Sequence, residues 1–216
     1  MARESKARKR ERATDACARI AALFPDAETA LDHTDAFTLT IAVLLSAQTT
    51  DVQVNKVTPE LFRRWPDAAS MAQADPLDVG EVIRSIGFFN TKARHAVEAS
   101  QRIVAKYGGE VPATMEDLLT LPGVGRKTAN IVLNNAFGIV EGIAVDTHVY
   151  RIAKRLELTR AATPAAAEKD LLDTIPHELW GDVNITWVLF GRQVCDAKKP
   201  RCADCPLIDI CPGKVV

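Results

Sequence analysis

The stretch LPGVGRKTAN, Leu121 to Asn130, decides how this chain is read. It sets Gly-Val-Gly directly before an Arg-Lys pair that opens an apolar, Ala-rich segment. Pro122 ends the helix expected before it, and Gly123 and Gly125 permit positive φ and close backbone approach. The plain reading is helix, tight turn, helix, with nothing more to it. The alternative is an anion hook. In that reading the amides of Val124 to Lys127 point outward together at the start of the second helix, with its dipole behind them. A lone G-x-G favours the plain reading, and the adjacent Arg126 and Lys127 bring the anion hook level with it.

Working outward, the chain has 216 residues, 47% of them apolar and 25% charged, an ordinary globular composition. One large or two small lobes are both compatible with that length. The formal net charge of −1 gives no global sign of a polyanionic partner. The charge is unevenly placed, however. MARESKARKRER carries Arg3, Lys6, Arg8, Lys9, Arg10 and Arg12 against Glu4 and Glu11. A solvated or frayed terminus is the plainer expectation for it, and a nucleic-acid-contacting arm the other. No apolar stretch follows as a signal peptide needs, and FTLTIAVLLSA (Phe37 to Ala47) is too short to span a bilayer. A cytoplasmic protein without a membrane partner is expected.

The periodicity is helical almost throughout, without a convincing period-two run, so the predicted class is all-α. AFTLTIAVLLSAQ is apolar nearly all round and reads as the central buried helix. Asp51 is the expected cap of the next helix, which carries Val54, Val57, Leu61, Phe62 and Trp65. PLDVGEVIRSIG is expected to run from Pro76 to Gly87. In TMEDLLTLPG, Thr114 precedes Asp117 by three residues, close to a capping box.

Five cysteines are present, four of them as Cys195-x6-Cys202-x2-Cys205-x5-Cys211. In a chain without a secretory signal this crowding reads as a ligand set for a metal centre rather than a disulfide framework. Structural zinc and an iron–sulfur cluster both accept four thiolates, and the spacing leaves the two open. Cys17 sits on an apolar helical face and reads as a small core residue. In GIAVDTHVYRIAKRL, Asp146 is placed to cap a helix after an extended stretch. A carboxylate fixed near an amine could equally form a catalytic pair.

Five segments together resemble the endonuclease III family of helix-hairpin-helix DNA glycosylases. They are LLSAQTTDVQVNK (Leu44–Lys56), IGFFNTKA (Ile86–Ala93), LPGVGRKTANIVLNNAFG (Leu121–Gly138), VDTHVYR (Val145–Arg151) and the four-cysteine tail. The resemblance implies a six-helix barrel domain over 28–140 that holds the hairpin. It also implies an iron–sulfur domain built from 1–27 plus 141–216, with a DNA cleft between the two. By the same resemblance Cys195, Cys202, Cys205 and Cys211 hold a [4Fe–4S] cluster, and Lys127 is the nucleophile with Asp146 as its carboxylate partner. His148 is then a structural neighbour of Asp146, with a proton-relay role as the alternative. Gln48 fills the gap left by an extruded base, assisted by Phe88, where better-known relatives carry Leu. Gly123, Val124, Gly125 and Arg126 hold phosphate at the hairpin, and Lys198, Lys199 and Arg201 suit phosphate contact beside the cysteines. Burial, the helix N-terminus and Arg126 are expected to favour the free amine of Lys127.

The implied function is base excision repair: removal of oxidised pyrimidines such as thymine glycol from double-stranded DNA, with nicking at abasic sites, by a monomeric enzyme of the nucleoid. Within the superfamily, the adenine glycosylase of mismatch repair uses a glutamate in the helix before the glutamine turn, and Ile41 to Gln48 contains no carboxylate. That enzyme's further C-terminal domain is not expected after Cys211. A mismatch-specific thymine glycosylase usually lacks the hairpin lysine. A non-catalytic DNA-binding module is the reading outside the enzyme class, and Lys127 with Asp146 argues against it.

Overall fold

In the computed structural model residues 4–214 are described, so Arg3 of the basic start lies outside the described residues. Within them every regular element is helical and no strand occurs. The chain divides into two compact units, one made of Thr29–Glu141 and the other of Met1–Glu28 with Gly142–Val216.

The first unit is contiguous and is organised round α2 (Ala36–Leu45). Asp35 caps this helix by accepting from the Thr38 amide at 2.8 Å, while Thr38 Oγ1 accepts from the Asp35 amide at 3.0 Å. Two orphan donors are satisfied by two side chains. From Phe37 to Leu45 every residue is buried, as its all-round apolar pattern requires. Around it come α3 (Asp51–Arg64), α4 (Ala68–Ala72), α5 (Pro76–Val82), α6 (Phe89–Tyr107), α7 (Met115–Leu118) and α8 (Arg126–Phe137). Leu39, Ile41, Leu45, Leu61, Met71, Ile83, Ile103, Leu118 and Leu121 are among its fully buried side chains. Each such aliphatic side chain contributes about 1.5–3 kcal/mol of transfer free energy.

Two helix boundaries differ from expectation. Thr50, not Asp51, caps α3, because Thr50 has the extended backbone that lets its hydroxyl accept from Gln53. Asp51 is the first helical residue, where its charge still complements the positive end of the helix. The helix α5 starts at Pro76 as expected but ends at Val82, and a series of turns carries the chain on to α6.

The second unit combines α1 (Lys6–Ala22) with α9 (Thr147–Arg155), α10 (Pro164–Thr174), α11 (Trp180–Gln193) and the cysteine loop. The basic start is not frayed over its described residues. Ser5 caps α1 by accepting from the Arg8 amide, and Lys6 to Arg12 are helical. Arg12 donates to Leu156 O at 2.6 Å and pairs with Glu4 at 2.8 Å, so it fastens the helix instead of reaching into solvent. The core holds Ala13, Ala16, Ile20, Ile152, Leu158, Leu171, Trp187 and Phe190, and Cys17 lies in it as expected. Burial pushes the Cys17 thiol up to about 12, so it stays an inert thiol. No helix among the described residues is long and apolar enough to cross a membrane.

Candidate active site and metal centre

The hairpin turn is built by Leu121 to Gly125. Val124 donates to Leu121 O at 3.1 Å and buries its side chain, so its amide is spent on closing the turn. The expected anion hook therefore loses Val124, both as amide and as side chain. Gly123 has φ +78, and a Cβ there would meet His95 Cβ and Nδ1 at 2.9 Å. Glycine is required twice over, by backbone conformation and by the packing of α6 beneath the turn. Gly125 caps α8 with extended backbone and no side-chain hydrogen bond. Amides in the first turn of a helix have no intrahelical acceptor, so α8 presents donors and a positive dipole end at this point. Lys127 is its second residue and is exposed, not buried as expected.

Gln48 and Phe88 stand on two other turns of the same unit, and both are exposed. Gln48 has φ 55 and Phe88 φ 59, left-handed values that are rare for non-glycine residues and an outlier for a bulky ring. Phe88 is 68% exposed at the N-cap of α6, with no side-chain cap to justify its position. Backbone strain of about 1–3 kcal/mol per residue at exposed turns is a pattern that accompanies ligand contact. Beneath both turns lies a residue that pattern reading passed over. Lys92 is only 5% exposed, and its ammonium donates to Thr49 Oγ1 at 2.7 Å. The sequence signal was a lysine inside the apolar face of α6, on the same side as Ala93, Ala96 and Val97.

In the other unit Asp146 caps α9. Its Oδ1 accepts from the amides of His148 and Val149, both at 2.8 Å. The second carboxylate oxygen takes no part in the cap. His148 is half-buried, and Arg151 Nη2 donates to its Nδ1 at 3.1 Å. Desolvation holds the imidazole below its ordinary pKa, with Asp146 opposing and Arg151 and Arg192 reinforcing the shift. Arg151 also donates to Gly191 O at 2.8 Å and to Cys195 O at 3.0 Å.

Cys195, Cys202, Cys205 and Cys211 line a common cavity of about 410 Å³, counting the space open to solvent. Ile152, Phe190 and Leu207 form part of its apolar wall. Among the described residues no three His, Cys, Asp or Glu side chains close round a point as a single ion requires. The four thiols share one cavity. Arg155 braces the loop, donating to Cys195 Sγ at 3.1 Å, Asp196 O at 2.7 Å and Ala197 O at 3.1 Å. Past the last cysteine, the Gly213 amide donates to Arg155 O at 2.9 Å, and a Cβ on Gly213 would lie 2.5 Å from that oxygen. Burial raises the Cys205 and Cys211 thiols above their ordinary pKa, and the neighbouring cysteines raise them further. A cation in the cavity is what would hold four thiolates together there. Lys198, Lys199 and Arg201 are exposed on the loop between Cys195 and Cys202. The amides of Lys198 and Lys199 donate to Asp196 Oδ1 at 2.8 and 2.9 Å, which fixes that loop while leaving their ammonium groups outward.

Residues 41–177 match the HhH-GPD superfamily of base excision DNA repair proteins. Endonuclease III of Synechocystis sp. is 48% identical over 96% of this chain and 94% of its own length. Endonuclease III of Escherichia coli K12 is 41% identical over 88% of this chain and 90% of its own. A trapped endonuclease III–DNA covalent intermediate superposes with a TM-score of 0.89 at 41% identity, covering 94% of this chain and 96% of the other. A thermostable thymine-DNA glycosylase, at 23% identity and a TM-score of 0.82, shares the fold. The chain belongs to the HhH-GPD superfamily and, within it, to the endonuclease III family.

Proposed function

We propose that this protein is a bifunctional DNA glycosylase and abasic-site lyase of base excision repair, acting on oxidised pyrimidines such as thymine glycol in double-stranded DNA. The position of Lys127 carries the reading. It is an exposed amine on the first turn of α8, directly after a Gly-Val-Gly turn. The 41% identical relative was captured as a covalent intermediate with DNA. In this reading 29–141 is the hairpin-bearing domain and the remainder the cluster domain, as monomers on nucleoid DNA.

Lys127 Nζ attacks C1′ of the damaged nucleotide. The C1′–N bond breaks, and the base leaves with the bonding pair and takes up a proton. The bound amine sheds a proton, the C1′–O4′ bond opens with O4′ keeping its pair and taking up a proton, and an iminium is left between Nζ and C1′. Loss of a C2′ proton then expels the 3′ phosphate oxygen, and the strand is nicked. An amine in water is protonated and cannot begin this sequence. Lys127 is exposed here, so in this reading DNA closing over it supplies the desolvation that favours the neutral amine. Asp146, with a carboxylate oxygen outside its capping bonds, stabilises positive charge at C1′ or passes protons. Gly123, Gly125 and Arg126 hold the strand by phosphate, and Gln48 and Phe88 occupy the emptied stack. His148, hydrogen-bonded within α9, orients the Asp146 turn.

The four cysteines fit a [4Fe–4S] cluster: the donors are all sulfur and all four line one cavity. Bound there, the cluster supplies cross-linking of the 195–211 loop, and Lys198, Lys199 and Arg201 on that loop meet phosphate. No chemical step passes through it.

Borohydride trapping on a duplex with a single thymine glycol tests the reading. The wild type is expected to yield a covalent adduct and Lys127→Gln none, with DNA binding kept. An adduct formed equally by Lys127→Gln would end the proposed chemistry. Binding without base release or adduct would favour a non-catalytic DNA-binding module.

A further inference from the structure

Gln48 and Phe88 are two of the three exposed non-glycine residues with left-handed backbone among the described residues, Glu157 of the other unit being the third. Their turns are well separated in sequence, yet a single side chain joins them. Lys92 lies one helical turn after Phe88, and its amide donates to Phe88 O at 3.0 Å. Its ammonium crosses to the other turn and donates to Thr49 Oγ1 at 2.7 Å, next to Gln48. A second strut spans the same gap, from Gln53 Nε2 to Ser85 Oγ at 3.0 Å.

We propose that Lys92 is a positioning residue that locks the turns of Gln48 and Phe88 in their left-handed, outward conformations, so that both enter the DNA stack as a preformed pair. This rests on the reading of Gln48 and Phe88 as the inserting residues. The argument is one of cost. An ammonium has three donors, and this one, almost wholly buried, has Thr49 Oγ1 as its acceptor among the described residues. Desolvation pushes its pKa below the ordinary lysine value, a sign that the charged form is held at a disadvantage. An apolar side chain of similar length would fill the same space in α6 without that cost. What it could not do is reach across to Thr49. Two residues in strained backbone relax unless their surroundings over-determine them. A tether fixed at Phe88 by backbone and at Thr49 by side chain over-determines both. Preformed wedges enter a lesion without first paying to order themselves.

The test uses the full chain in its holo form and a duplex with 2-aminopurine opposite a stable abasic-site analogue. Side chains entering the stack unstack the 2-aminopurine and raise its fluorescence. Gln48→Ala and Phe88→Ala set the signal lost when an inserting residue is missing. Thr49→Val and Lys92→Met, both of which break the tether, are expected to lose most of the fluorescence rise. Their discrimination between lesion and undamaged duplex is expected to fall about tenfold, equivalent to ~1.4 kcal/mol. Affinity for undamaged duplex should hold, and Thr49→Ser, which keeps the acceptor, should behave as wild type. Should Lys92→Met fail to fold, the Thr49→Val and Thr49→Ser pair decides alone. If Gln48→Ala and Phe88→Ala leave the signal intact, the inserting role falls and the proposal with it. If those two lose the signal while Thr49→Val and Lys92→Met keep it, the inserting role stands and the positioning role of Lys92 is overturned. Equal weakening on damaged and undamaged DNA would also overturn it, because that is general destabilisation.

Discussion

At the scale of single residues, His148 shows how surroundings set the charge state of a side chain. A histidine two positions after a candidate catalytic aspartate invites a proton relay. Its Nδ1 lies 3.1 Å from Arg151 Nη2, so a guanidinium already occupies that side of the ring. Burial depresses the pKa first, and Arg151 and Arg192 add to it. The folded protein therefore binds fewer protons than the unfolded chain just below the ordinary imidazole value of about 6.5. Stability from this group is complete above that value and is lost as pH falls through the folded pKa. We expect the melting temperature to decline with acid in that window and the decline to be shallower in His148→Gln. Thermal melts of both proteins between neutral pH and the mildly acidic range measure it. Identical slopes would mean that His148 does not titrate as its surroundings require.

At the scale of elements, α9 ties a structural and a chemical role to one carboxylate, and the two can be separated. Asp146 Oδ1 satisfies two orphan amides at the start of the helix. Asparagine caps about as well as aspartate, whereas alanine loses the cap at about 0.5–2 kcal/mol. Asp146→Asn should thus unfold within about 0.5 kcal/mol of wild type, and Asp146→Ala should lose roughly 1 kcal/mol or more. If Asp146 is chemical as well as structural, both lose base excision alike. Denaturant melts beside single-turnover excision measure the two roles. An Asp146→Asn protein with full excision would leave Asp146 as a cap only. Elements of this kind were legible in advance because capping and apolar periodicity act over one or two turns. Asp146 and Pro76 start their helices where expected, and Phe37 to Leu45 is buried throughout. The misreadings have local or long-range causes. Thr50 displaced Asp51 through backbone conformation, and Val124 spent its amide on Leu121. The basic start became ordered helix because Arg12 found the Leu156 carbonyl, 144 residues away, which no local pattern announces. Arg151 and Arg155 were invisible for the same reason, and Lys92 showed only as a lysine on an apolar face: their partners are set by packing.

At the scale of the whole molecule, two hydrophobic cores coexist, and the second is made from both ends of the chain. The sequence resemblance implied that discontinuity, while the means of holding it together emerged only from the contacts. Arg19 of α1 pairs with Asp15 and Asp209 at 2.7 Å each and donates to Pro206 O at 2.9 Å. Arg12 of the same helix reaches Leu156 O. The first helix is thereby sutured to the cysteine loop and to the end of α9, which Arg155 in turn joins to Cys195. Exposed ion pairs alone are weak, so this suture depends on the loop keeping its shape. If the cluster holds the loop, losing one ligand should free Arg19 from Pro206 and Asp209 and loosen α1 far upstream in sequence. In Cys202→Ser, amide exchange over Ala13–Ile20 is expected to accelerate, while Phe37–Leu45 keeps its protection because it belongs to the other core. Native-state hydrogen exchange resolves the two segments. Acceleration in both or in neither would mean that the cysteine loop does not serve as the selective anchor of the N-terminal helix.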